Sequence, residues 1–215
     1  MIEAVRALFA SEEDNKKLAD LIEAAAPNCG CETFSVGIGS PGPVAPTEVL
    51  HRILSSPRDF DPDTGTVLEA PFRKVYTNGL SVWRARGTDD DVAVLMEESL
   101  WRAEGDPLRS ISGVLEAQTS EIQAETTTDG SRCFCVYDQT VSRRDPSQAP
   151  VPTHAGVFLR VPAKGSENRT TIQKDLAGKL KELFERTFLD AESYRDGICI
   201  QLNERSASGE FIGGG

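Results

Sequence analysis

The chain has 215 residues, of which 39% are apolar, 27% charged and 7% aromatic, and its net charge is −11. That balance excludes global disorder and is enough to bury a core, while 34 acidic against 23 basic residues repel a polyanion, so no nucleic-acid partner is expected. No window approaches the about 18 consecutive apolar residues of a membrane helix, and Glu3 stands where a signal peptide needs positive charge, so a soluble cytoplasmic protein away from membranes is expected.

A first helix is predicted over 1–10. A second starts near Ser11, with Asp14 completing an approximate capping box, and Pro27 stops it. Residues 32–38 alternate Phe34, Val36 and Ile38 and predict a strand. The Gly- and Pro-rich run 39–47 predicts a stiff loop, with too few N–H donors to cradle a phosphate. Thr47 then caps a predicted short helix carrying Val49, Leu50, Ile53 and Leu54, with His51 on its solvent side. A hairpin follows, with 74–76 and 80–86 as its arms about the Asn78-Gly79 pair, a sequence favoured in type I′ turns. On the second arm Val82 and Trp83 face different layers.

Thr88 and three aspartates open a predicted helix that ends at Gly105-Asp106-Pro107. Residues 113–117 predict a short strand, and Thr119 or Ser120 starts a helical turn through Ala124. Strands are predicted over 132–138 and 155–161, joined by a long polar loop, 139–153. A long amphipathic helix spans about 170–190, with Thr170 and Gln173 as its capping box. Residues 197–202 predict a last strand. The fold class is therefore α+β, with a mixed or largely antiparallel sheet and helices packed on its faces. Residues 1–205 read as one domain, the single candidate sub-boundary lying near 105–107, and 206–215 as a flexible tail ending in glycines.

No residue carries a strong catalytic signature. The five cysteines fall as Cys29 and Cys31, Cys133 and Cys135, and a lone Cys199, a pattern that suggests buried thiols and no disulfide framework. The candidates for nucleophilic chemistry are Cys133 or Cys135 with His154, since an imidazole stabilises a thiolate. Arg84 and Arg86, two apart on a strand, are the candidate clamp for a carboxylate or phosphate. The run from Asp59 to Gly65 lacks the glycine and acid positions of a calcium loop and reads as a turn, so neither metal nor cofactor is expected.

The order strand 132–138, strand 155–161, helix 170–190, strand 197–202 and glycine tail resembles a ubiquitin-like β-grasp. The resemblance implies a modifier conjugated through the carboxylate of Gly213-Gly214-Gly215, whose bare glycines suit a narrow enzyme channel. Three functions are thus expected in descending order: a non-enzymatic binding or assembly module with a protein partner, a ubiquitin-like modifier, and a cysteine hydrolase or transferase.

Overall fold

The computed structural model describes residues 1–10, 17–37, 39–84, 110–141, 151–160 and 169–190. Their centre is an antiparallel sheet of six strands: β1 (Val49–Ser56), β4 (Leu80–Arg84), β5 (Ser110–Gln118), β6 (Phe134–Val141), β7 (Val151–Leu159) and β8 (Phe188–Asp190). They lie in the order β6-β7-β4-β1-β5-β8, and a two-stranded ribbon pairs β2 (Phe60–Asp61) with β3 (Thr66–Val67).

Successive side chains of a strand face opposite sides of its sheet, and here both sides are used. On one side Leu50, Leu54, Leu80, Val82, Leu115, Phe134, Val136 and Val157 form the main core. They pack against helix α4 (Arg169–Glu185), through Leu176, Ala177, Leu180, Leu183 and Phe184, and against a 3-10 helix, Phe72–Tyr76. On the other side, Cys135, Tyr137 and Phe158 of β6 and β7 meet helices α1 (Ile2–Ala10) and α2 (Leu18–Ala25) and the segment after α2. Phe9 of α1 completes a cluster of three rings with Tyr137 and Phe158, which also touch each other. The short helix α3 (Thr119–Ala124) follows β5 directly. The fold is α+β with an antiparallel main sheet and helices on both faces, as the sequence implies.

Several elements differ from expectation, each for a physical reason. The helix predicted from Thr47 is β1. Its apolar doublets, Val49-Leu50 and Ile53-Leu54, satisfy a helical stripe, but they equally give a central strand one residue for each covered face. Residues 74–76 belong to the 3-10 helix, because Phe72 and Val75 both turn into the core, Phe72 against Phe184. Asn78-Gly79 is consequently a helix-to-strand turn. Gly79 has φ +89°, and a Cβ there would lie 2.5 Å from the Phe158 ring. Only glycine meets both demands.

The strand predicted at 32–38 does not form over the described residues 32–37, because the N–H groups of Glu32 and Phe34 close local turns onto the Cys29 and Cys31 carbonyls and the following ones go to a side chain. The Asp138 carboxylate accepts from the N–H groups of Val36 and Gly37 and from Ser35 Oγ. Glu32 in turn accepts from the β6 N–H of Val136 and from two nitrogens of Arg132. A strap bonded through carboxylates thus covers β6, an edge of the sheet among the described residues.

The loop predicted over 139–153 gives residues to both strands, since β6 runs to Val141 and β7 begins at Val151. Helix α4 stops at Glu185 and the chain re-enters the sheet as β8; Thr170 sits inside the helix, so it is no cap. The β-grasp order is not realised as that fold. After the β6-β7 hairpin and α4, the chain joins the sheet as β8 at its opposite edge, with four strands between β8 and β6. The Ser11 cap, the helix from Thr88, the boundary at 105–107, the strand 197–202 and the tail lie outside the described residues.

The cysteines also depart from expectation. Cys29 and Cys135 form a disulfide across 106 residues, while Cys31 and Cys133 are buried free thiols on opposite sides of the sheet. Closing so long a loop restricts the unfolded chain, so Cys135→Ser is expected to lower unfolding stability by roughly 2–5 kcal/mol in a denaturant titration. In the folded protein, mass analysis after alkylation should find Cys29 and Cys135 unmodified until a reductant is added.

Candidate functional site

Arg84, one half of the expected anion clamp, is 3% exposed and fully engaged. Its Nε and Nη2 donate to the two oxygens of Glu48 at 2.7 and 2.8 Å, and Nη1 and Nη2 donate to the carbonyls of Gly42 and Pro43. Glu48 also accepts from the Ala45 N–H. The pair therefore fastens the Gly- and Pro-rich loop to the end of β4, with Val44 entering the core. Arg84 is a structural staple whose donors are turned inward, and Arg86 lies outside the described residues. A buried ion pair resists loss of one partner far more than loss of both. Arg84→Met alone should cost roughly 3–5 kcal/mol in unfolding experiments, and Arg84→Met with Glu48→Leu distinctly less.

The expected cysteine–histidine pairing is not formed. Cys135 is in the disulfide, and Cys133 lies in the core under α4, where burial pushes its thiol up. The residue opposite His154 on β6 is Gln139. His154 instead belongs to a row that crosses five strands on one side of the sheet. Gln139 of β6 faces His154 of β7, His154 faces Trp83 of β4, Trp83 faces His51 of β1, and His51 faces Glu116 of β5. Gly156, beside this row, leaves room for the Gln139 amide, which would lie 2.7 Å from a Cβ there.

Ser81 Oγ and His154 Nε2 are 2.7 Å apart, and the Trp83 indole meets the imidazole edge-on at 4.8 Å. A serine–histidine contact is the beginning of a nucleophilic site. Ser81, however, sits within a strand of the sheet, where its own N–H belongs to a flat ladder and no turn converges donors upon it. An oxyanion stabiliser needs such convergent donors. The contact anchors His154 between two strands.

At the other end, His51 Nε2 lies 3.4 Å from Glu116 Oε1. Burial lowers the imidazole to about 4 and raises the carboxyl, so His51 is neutral at pH 7 and the contact is no ion pair there. His51 is thus half-buried on a strand, not solvent-facing on a helix. Because its folded value lies below the ordinary 6.5, the stability linked to it is present above pH 6.5 and is lost as pH falls toward 4. Glu116, shifted the other way, opposes part of this. Relative to wild type, His51→Gln should gain up to about 3 kcal/mol between pH 6.5 and 4, read as converging denaturant midpoints.

Glu116 also forms part of a cleft of about 390 Å³ beside β5, where α4 ends and β8 begins. Val49, Ala117 and Leu183 supply its apolar surface, and Glu116, Gln118, Glu121, Arg186 and Thr187 its polar surface. Arg186 and Glu121 face each other across the mouth at 3.5 Å, both well exposed. The Glu116 N–H donates to the Thr187 carbonyl, which holds the α4–β8 junction against the strand.

The Asp59–Gly65 run divides by role. Asp59 turns inward to accept from Arg52, the Ser55 N–H and the Ser55 hydroxyl, and Asp61 accepts from the N–H groups of Asp63 and Thr64 in a tight turn. Sequence reasoning missed Ser81, Gln139, Glu116 and Glu121. Their signal was positional: each gains meaning only from strand register or from the α4–β8 junction. Comparison of the chain with protein-family models, with curated proteins and with solved structures finds no match.

Proposed function

We propose that this chain is a non-enzymatic binding or assembly module that engages a protein partner through the cleft beside β5. The observation that supports this reading most is the division of its polar residues. The groups suited to chemistry are spent on structure: Cys135 in a disulfide, Arg84 on Glu48, and His154 between Ser81 and Trp83. Among the described residues the cleft lining holds neither a histidine nor a thiol, yet it joins an apolar floor to charged groups at its rim, the composition of a recognition site. The cysteines bear on the compartment as well. A Cys29–Cys135 bridge is at home in an oxidising compartment, and it weakens the case for the cytoplasm that free thiols would have made.

Two measurements test the reading together. A photo-crosslinking residue placed at Gln118, on the cleft wall, is expected to give one discrete adduct with a partner protein, lost when Glu121→Arg reverses the charge at the mouth. A fluorophosphonate probe is expected to leave Ser81 unlabelled in the folded protein. A stoichiometric adduct on Ser81 would replace the binding module with a hydrolase.

A further inference from the structure

Resting on the cleft as the binding site, we infer that its ligand is a basic side chain, the guanidinium or ammonium group of an arginine or lysine in the partner polypeptide. Among the described residues of the cleft lining, Glu116 and Glu121 stand against one basic side chain, Arg186. Arg186 is engaged with Glu121 at the mouth, where the side chains are 62% and 45% exposed. Glu116 is less exposed, at 27%, and the ionisable group beside it is His51, whose imidazole is uncharged at pH 7. Among the described residues no lysine or arginine comes within ion-pair distance of Glu116. A carboxylate partly withdrawn from water without a cation is a place where an incoming cation recovers electrostatic energy.

The helix supports the same sign. The last turn of the 17-residue α4 carries no basic residue and contributes Leu183 to the cleft, so the negative end of its dipole lies beside the site, with Arg186 the first residue after the helix. The floor of Val49, Ala117 and Leu183 matches the methylene stem behind such a head group. An anionic ligand would meet the same field with the opposite sign, and among the described lining residues Arg186 alone could receive it.

The test is a titration of the ¹⁵N-labelled full chain with a short acetylated, amidated glycine-flanked arginine peptide, and with its citrulline twin, which keeps the shape and lacks the charge. The arginine peptide should shift the amides of Glu116, Ala117, Arg186 and Thr187 saturably and lower the Glu116 carboxyl titration. The citrulline peptide should bind at least tenfold more weakly, and Glu116→Gln should abolish the difference while keeping the rest of the spectrum. Glu121→Gln, outside the sheet, should weaken the arginine peptide by a smaller factor. Equal binding of the two peptides, or no saturable shift at these amides, would overturn the inference. If the Gln118 crosslink still forms in that case, the cleft stands as a docking site for a different chemistry; if the crosslink is also missing, the binding reading falls with it.

Discussion

Strand β1 lies between β4 and β5, buried on one face and largely withdrawn from solvent on the other, and that single constraint organises much of the molecule. A strand in this position has little solvent side on which to discharge its polar residues, so each must find a partner inside the protein. Leu50 and Leu54 are fully buried against α4 and Ile53 is buried on the reverse side. Between them, Arg52 reaches Asp59 and the Ser81 carbonyl, and His51 reaches Glu116. Just before the strand, Glu48 takes Arg84. The polar row across five strands continues the same rule outward from β1. Partners are recruited from β4, β5 and the adjoining loops because the sheet brings them level with β1.

This constraint also explains what could and could not be read from the chain. Strands β4, β5, β6 and β7 and helices α1, α2, α3 and α4 were legible in outline, from strand alternation, helical spacing or, for β7, a nearly continuous apolar run. Trp83 was correctly placed on the face opposite Val82. Strand β1 was misread because withdrawal from solvent on both faces erases the alternation of period two and leaves doublets that imitate a helix. The 32–37 strap was misread for the opposite reason: Phe34 and Val36 alternate as a strand should, but the Phe34 N–H closes a turn onto the Cys31 carbonyl and the Val36 and Gly37 N–H groups go to a carboxylate about a hundred residues away. No local pattern reports a hydrogen bond between Val36 and Asp138.

The candidate site was less legible than the fold, and the difference is instructive. Residue type drew attention to Arg84, Cys133, Cys135 and His154, which are the rarer and more reactive side chains. The structure uses these for cohesion. The cleft is built from glutamates, a glutamine, a threonine and an arginine that are ordinary in an acidic chain and gain their role from the place where α4 hands over to β8. Reactivity is a property of residue type, whereas a recognition surface is a property of arrangement.

The disulfide and the strap carry a consequence for the order in which the molecule is assembled. Helices α1 and α2 and residues 26–36 are made first, yet the sheet surface they cover is supplied by Cys135, Tyr137 and Phe158. During synthesis from the N-terminus, Val5, Ala19 and Ile22 must wait for more than a hundred further residues before they have anything to cover. The packing of this segment is therefore completed only when β6 and β7 are in place. Until then its apolar helix faces and the Cys29 thiol lack the surface and the partner that they have in the folded protein.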